Sequence, residues 1–359
     1  MNQLTRCQTI GDMPLAAQAL IDGPGSEQLF TSRLWFETFV TRGLAKGAEP
    51  LFLILGNDPD PQAILPCQRL ADGAASVTGL TSFYSCDFKP IIAADADPAL
   101  TAHSIGKAVA ETFHDDAVIG FDSLDSTQPE ITQFITGLAR PGRALLRYAH
   151  FGHWWEDVAG KLFPDYMAER GGALREVIRR KGAKLAREGA TLTMIGPTAS
   201  AEEVERGIAD YEVVYAASWK EREAFPEFQP TLMRNLAAAG WLRLALCHVA
   251  EKPVATQLWV LVNGTATVLK LAHDQAFDRL SPGSVLTHFA IARLMENETV
   301  RKLDFGRGDD PYKSAWTTNR SQHIGVLSVS IVRRPGIILR HALGVAARVL
   351  KKRVRPALR

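Results

Sequence analysis

The stretch from Trp241 to Phe305 constrains the fold more than any other. Trp241–Val249, Val254–Val262 and Thr265–Leu271 read as three consecutive strands, and Asn263-Gly264 joins the last two. That dipeptide accepts positive φ at both central positions of a type I′ turn, so it favours a two-residue hairpin. Asp278-Arg279-Leu280-Ser281-Pro282-Gly283-Ser284 follows, then a helix over Val285–Met295 and a strand over Val300–Phe305. A strand, helix, strand sequence of this length is a crossover, and crossovers are right-handed in nearly all proteins. An antiparallel meander therefore feeds a parallel pair, and the expected class is α/β (α+β) with a mixed sheet.

The remainder of the chain alternates in the same manner. Helices are expected over Leu34–Val40, Thr101–Phe113 and Glu130–Leu138, with strands at Leu51–Leu55, Ala63–Leu65, Ala117–Phe121 and Ala144–Tyr148. His153-Trp154-Trp155-Glu156 then reads as a connecting segment. The second half opens on a basic helix, Leu174–Glu188, closed by Gly189 as a C-cap. A strand at Thr191–Ile195, helices at Glu202–Trp219 and Thr231–Ala239, and a late strand at Ile324–Ser330 complete the pattern. The two halves look alike: Pro98 to Asp122 and Pro282 to Asp304 both run Pro, helix, strand, Asp, over 24 and 22 residues. With 359 residues, the length suits two domains of roughly 150 residues or a duplicated unit. The expected division is 1–155, 156–332 and a tail, 333–359.

Charge and cysteine usage exclude several classes. Lys+Arg 41 against Asp+Glu 39 argues against a general nucleic-acid binder. Nine of those bases lie in 333–359 with no acidic residue, so the body, at 41 − 9 = 32 against 39, is mildly acidic. Cys7, Cys67, Cys86 and Cys247 are scattered, with neither a CxxC pair nor a His cluster, so neither a disulfide scaffold nor a metal site is expected. There is no secretion signal and no apolar run of spanning length, so the expected location is cytoplasmic. GxSxG, Walker, GxGxxG and HExxH motifs are absent, which leaves no support for a serine hydrolase, a P-loop enzyme or a nicotinamide enzyme.

Four constellations could carry chemistry. Ser281, Pro282, Gly283 and Ser284 open the crossover helix, where unpaired N–H groups and the helix dipole favour an anion and Gly283 lets it approach closely. The same residues would also serve as a plain N-cap. Asp304 ends the following strand, ahead of two glycines, Tyr312 and Lys313; the carboxyl ends of strands are where open crevices form. Lys270 and His273 close the hairpin, on a strand neighbouring that of Asp304, and a His beside a carboxylate can act as a base. Ser218-Trp219-Lys220 closes a helix, with Trp219 a core aromatic or a site residue.

In order, Lys270-Leu271-Ala272-His273-Asp274, Leu280-Ser281-Pro282-Gly283-Ser284-Val285-Leu286, Leu303-Asp304-Phe305-Gly306-Arg307-Gly308-Asp309 and Tyr312-Lys313 resemble the Fem-like branch of the GNAT acyltransferase superfamily. The members they most resemble are the cellulose-biosynthesis-type acetyltransferases. The resemblance spans about residues 170–316. It implies tandem GNAT-like lobes, the first degenerate and the second active, with two middle strands splayed around the thioester of an acyl donor. Ser281, Pro282, Gly283 and Ser284 would face the pyrophosphate of the acyl carrier, the donor being acyl-CoA or an acyl-carrier protein. No permanently bound cofactor is implied. The resemblance implies Asp304 at the splayed strand end and Tyr312 and Lys313 closing the site; the expected catalytic residues are Asp304 or His273 as proton acceptor and Tyr312 as proton donor to the thiolate. Trp219, Lys220, Lys270 and Lys313 would contact substrate. His273 stands where the pattern more often carries an aromatic residue.

The expected reaction is N-acylation of a small amine or of a lipid-like long-chain amine. The alternatives are acetylation of a sugar or polysaccharide precursor, and a binding protein with an inactive acyltransferase fold. Aminoacyl transfer from tRNA is disfavoured by the near-neutral charge, and no nucleic-acid partner is expected. In the tail, Ile338, Leu339, Val345, Val349 and Leu350 follow a helical apolar face flanked by Arg340, Arg348, Lys351, Lys352 and Arg353. Such a helix either lies on an anionic membrane surface, peripheral at its inner face, or packs on the body.

Overall fold

A computed structural model describes residues 4–23, 28–71 and 76–341. Thirteen strands are found among them: β1 (Leu4–Cys7), β2 (Glu49–Asn57), β3 (Asp60–Leu70), β4 (Ser76–Gly79), β5 (Ile91–Ile92), β6 (Val118–Asp125), β7 (Arg143–Asp157), β8 (Ala190–Ile195), β9 (Leu242–Val249), β10 (Lys252–Val262), β11 (Thr265–His273), β12 (Lys302–Arg307) and β13 (Asn319–Ser330). The helices are α1 (Leu15–Ile21), α2 (Arg33–Arg42), α3 (Pro98–Thr112), α4 (Pro129–Gly137), α5 (Phe163–Ala168), α6 (Gly172–Arg187), α7 (Ala201–Ala216), α8 (Phe228–Ala238), α9 (Pro282–Asn297) and α10 (Lys313–Trp316). The strands form one mixed sheet in the order β1-β2-β3-β4-β6-β13-β7-β12-β11-β10-β9-β8, with β5 beside β3.

The expected meander is present as β9-β10-β11, all antiparallel. Asn263 and Gly264 take φ of 47° and 76°, both positive, as a type I′ turn demands. Helix α9 then crosses over to β12, which pairs with β11 in parallel. The first half repeats the device: β4, then α3, then β6, with β4 and β6 parallel. Each parallel pair is registered over only three positions, Ser76–Thr78 with Val118–Gly120 and Thr265–Thr267 with Lys302–Asp304. The fold is thus a tandem of two strand–helix–strand units joined in one sheet.

How the two units join differs from the sequence expectation. His153-Trp154-Trp155-Glu156 is not a connector; it continues β7. That strand pairs with β12 of the second half, while β13 reaches back to pair with β6 of the first. β7 and β13 also pair with each other over nearly their whole length. The division expected at 155/156 falls inside β7, because the long strand is stabilised by two neighbours that lie far away in sequence.

Apolar packing follows these layers. Phe36, Phe39 and Phe52 of the first half share one core with Phe228, Leu232 and Leu258 of the second. The outer faces carry separate cores, Phe121 and Phe134 under α3 and α4, and Trp259, Leu286 and Phe305 under α9. Local signals fix the helix starts. Ser200 and Glu203 close a reciprocal capping box on α7, and Asp97 caps α3 just ahead of Pro98, three residues before the expected start. No described helix is long and apolar enough to cross a membrane. The tail expected over 333–359 lies, from residue 342 on, outside the described residues.

Candidate active site

Beyond Thr267 and Asp304 the ladder between β11 and β12 stops, although both strands continue, to His273 and Arg307. Gly306, at φ 61°, turns β12 away, and its N–H donates to the Asp304 carboxylate at 2.8 Å. The result is a crevice between two central strands, open at their carboxyl ends. Among the described residues three recesses surround it, with no lining residue in common.

The first, of about 450 Å³, lies at the start of α9 and is lined by Trp219, His273, Ser281, Gly283 and Ser284. Ser281 sits in the left-handed region (φ 50°, ψ 49°), and its hydroxyl makes no capping bond. A non-glycine residue held there costs on the order of 1 kcal/mol or more, a strain typical of functional sites. Because Ser281 does not cap the first turn, the helix presents N–H groups and its positive dipole end to the recess. Diphosphate oxygens suit such a place. His273 donates through Nε2 to the Asp278 carboxylate at 2.7 Å, and its ring lies 4.7 Å from that of Trp219.

The second recess, of about 240 Å³, is on the sheet face away from α9, and Tyr84, Lys220, Gln229, Leu269, Lys270 and Arg307 line it. Behind them stands Glu223, which accepts from the Tyr84 hydroxyl at 2.5 Å and from Lys270 Nζ at 2.6 Å. Burial alone would raise the Glu223 pKa, but the hydrogen bonds from Lys270 and Tyr84 outweigh it and hold the carboxylate below its usual range. Burial, reinforced by the adjacent Glu223, pushes the Tyr84 hydroxyl up. Burial and then the neighbouring charge of Lys270 bring Lys220 down to about 8. The Gln229 Oε1 atom is buried without a hydrogen-bond partner. This arrangement places Lys220, an amine half neutral near pH 8, in the recess, with the Glu223 carboxylate behind it.

The third, about 760 Å³, lies between the lobes at the still-paired end of β11 and β12. Asp304 faces it, 6% exposed. His153 Nε2 lies 2.8 and 2.9 Å from the two Asp304 oxygens, and Lys302 Nζ lies 3.4 Å away. Burial opposes ionisation of Asp304, but the charge and hydrogen bond of His153 prevail and hold it well below the usual carboxylate range. For His153, burial is likewise outweighed by Asp304, and its pKa is raised.

The structure brings some sequence-predicted residues together and separates others. Ser281, Pro282, Gly283 and Ser284 form the helix start as expected, and Trp219, half exposed rather than a core residue, joins them. Lys220 and Lys270 share the second recess. His273 and Asp304 do not meet: Thr267 is opposite Asp304, and His273 is six residues further along β11, about 20 Å at 3.3 Å per residue. His273 therefore belongs to the first recess, and a Cβ placed on Gly283 would come within 3.4 Å of its Nδ1. Asp304 is committed to His153. Lys313 is 3% exposed and donates to the carbonyls of Arg307 and Gly308 at 2.6 and 3.3 Å, so it clamps the loop after β12 rather than touching substrate. Tyr312 packs beside Phe305 on the α9 side, and burial raises its pKa. Tyr84, Glu223 and His153 were missed. Tyr84 and Glu223 are 139 residues apart and nothing in either neighbourhood pairs them. A signal existed for His153, the aromatic run read as a connector.

Residues 172–314 match the family model described as an acetyltransferase (GNAT) domain. That GNAT stretch contains α6 to α9, β8 to β12 and the whole lining of the first recess, while Trp35, Phe83, Tyr84 and Cys86 bring the first half of the chain into the second. Solved structures share the fold well beyond that domain. FemX superposes with a TM-score of 0.60 at 11% identity, covering 94% of this chain and 100% of its own. The C-terminal domain (DUF2156) of a protein assigned as lysylphosphatidylglycerol synthetase from Agrobacterium fabrum gives 0.55 at 11%, with 90% and 93% covered. A tandem GNAT protein from the clavulanic acid biosynthesis pathway gives 0.51 at 12%, with 91% and 98% covered. No curated protein matches the chain in sequence.

Proposed function

We propose that this protein transfers an acyl group from an acyl-CoA, or an acyl-carrier-protein thioester, to the nitrogen of a small or lipid-like amine. The observation that carries the reading is the parting of β11 and β12 beyond Thr267 and Asp304, directly beside the uncapped start of α9. In this reading the diphosphate lies against Ser281, Pro282, Gly283 and Ser284, with His273 and Trp219 as its side wall, and the thioester enters the crevice. The acceptor comes from the opposite face, through the recess of Lys220 and Lys270. Its apolar lining, including Trp35, Phe228 and Leu232, supports an amine with an apolar body. The basic tail in the sequence and the assignment of the Agrobacterium fabrum protein both favour a lipid-like acceptor.

The amine nitrogen forms a bond to the thioester carbon, the C–S bond breaks, the nitrogen loses a proton and the sulfur gains one. Orientation of the two reactants across the sheet supplies much of the rate, and proton removal about 10²–10⁴-fold more. Lys220, neutral above pH 8, takes the proton; Tyr312, kept protonated by burial, supplies the one required by the thiolate. Asp304 acts as a positioning residue, since a carboxylate so strongly ionised is a poor base. The test is a thermal-shift series with coenzyme A and acyl-CoAs of several lengths, followed by mass spectrometry of acyl transfer to an amine panel. Stabilisation and an N-acyl product support the reading; no shift with any thioester and no product overturn it.

A further inference from the structure

The recess assigned to the acceptor carries a charge pattern that a simple amine does not match. Three cations line it, Lys220, Lys270 and Arg307, and no carboxylate does. All three are half-buried and keep accessible surface. Glu223, behind them, offsets Lys270 at 2.6 Å and is engaged by Tyr84 as well. Among the described residues neither Lys220 nor Arg307 forms an ion pair. Burial and then the like charge of Lys270 hold Lys220 at about 8, so at neutral pH it is still mostly charged. Charged groups withdrawn from water without a counter-charge are costly, and two of them in one recess call for an anion.

Arg307, the last residue of β12, is the permanent charge of the three. Its Nη1 donates to the Ser82 and Ser85 carbonyls at 3.1 and 3.2 Å, and its Nη2 to His150 Nε2 at 3.3 Å. The ring of Phe151 covers one face of the guanidinium, 4.4 Å from its carbon. Those partners carry no charge: two are carbonyls, and burial lowers the pKa of His150. Three of the five N–H groups are thus used, and two, Nε–H among them, have no partner among the described residues. At neutral pH an alkylamine arrives as an ammonium ion and would add a fourth positive charge to the recess. An amine that carries its own anion brings the missing counter-charge with it, and a guanidinium is suited to a carboxylate or a phosphate. We propose that the acceptor is a zwitterionic amine, with a carboxylate or phosphate close to its nitrogen, and that Arg307 binds this anion while the amine faces Lys220. The amine in this assignment rests on the acyl-transfer reading; the anion is added to it. Trp35, Phe228 and Leu232 then meet the apolar part of the same molecule.

Calorimetry on the full chain, with coenzyme A saturating so that the start of α9 is filled, compares octanoate, octyl phosphate and octanamide. At least one of the two anions is expected to bind about tenfold or more tightly than the amide, and the better one identifies the headgroup. No preference for either anion overturns the proposal. Arg307→Gln should erase the preference, and a preference that survives in the variant takes the anion away from Arg307. If Arg307→Gln does not fold, turnover by the wild type decides: kcat/KM for 2-aminodecanoic acid or 2-aminodecyl phosphate should exceed that for decylamine about tenfold or more. Decylamine acylated as well as both refutes the anion and leaves acyl transfer standing. Acylation of no amine at all counts against acyl transfer, and the calorimetric comparison still decides the anion.

Discussion

Lys220 is held near its titration midpoint at about pH 8 by burial and by the positive charge of Lys270. As a base it works only when neutral, so log kcat/KM should rise with unit slope below pH 8 and level above it. Lys220→Met should lose at least 10²-fold and the inflection with it. Lys270→Met removes the like charge and should move the inflection upward, which a steady-state pH profile reads directly. Asp304 behaves differently. Its depressed pKa contributes stability that is present above the unfolded carboxyl value near 4 and lost as pH falls towards the folded one. The raised pKa of His153 contributes stability present below about 6.5 and lost as pH rises through its folded value. Asp304→Asn should therefore cost most between roughly pH 4 and 6.5, about 3 kcal/mol for breaking a buried pair, measured by urea melts across that range. The Lys220 inflection near pH 8 should survive in that variant; its disappearance would return the proton-accepting role to Asp304.

At the level of elements, the start of α9 and the parted strands work as a unit. A side chain at position 283 points at His273 Nδ1, so Gly283→Val should weaken coenzyme A binding more than tenfold by calorimetry while leaving KM for the amine within twofold. Much of this unit was legible in the sequence, and for a local reason. The Asn263-Gly264 turn, the apolar runs on either side and the Ser-Pro-Gly-Ser helix start all act over a few residues. The early end of α7 was not: Glu202–Trp219 reads as one helix, whereas it stops at Ala216 and frees Trp219 and Lys220 for two different recesses. Nor was the register between β11 and β12, which separates His273 from Asp304. Adjacent strands alone do not say how far along each other two residues lie.

For the whole molecule, the repeat of strand, helix and parallel strand was visible in the spacing of Pro98 to Asp122 and Pro282 to Asp304. The exchange of β7 and β13 between the halves was not, because strand partners 145 to 211 residues apart leave no local trace. That exchange is what brings His153 to Asp304, so the inter-lobe cavity could not be read before the fold was known. The proposed membrane role of the basic tail is tested at this scale too. Chains ending at His341 should lose binding to anionic vesicles of phosphatidylglycerol in a sedimentation assay while retaining coenzyme A affinity; unchanged vesicle binding would assign the surface elsewhere. The most direct measurement of all is a crystal structure with a non-hydrolysable thioether analogue of acyl-CoA. It should show the diphosphate on the amides of residues 282–284 and the acyl carbonyl between β11 and β12. An analogue bound in the inter-lobe cavity, or anywhere that leaves the α9 start empty, would contradict the assignment.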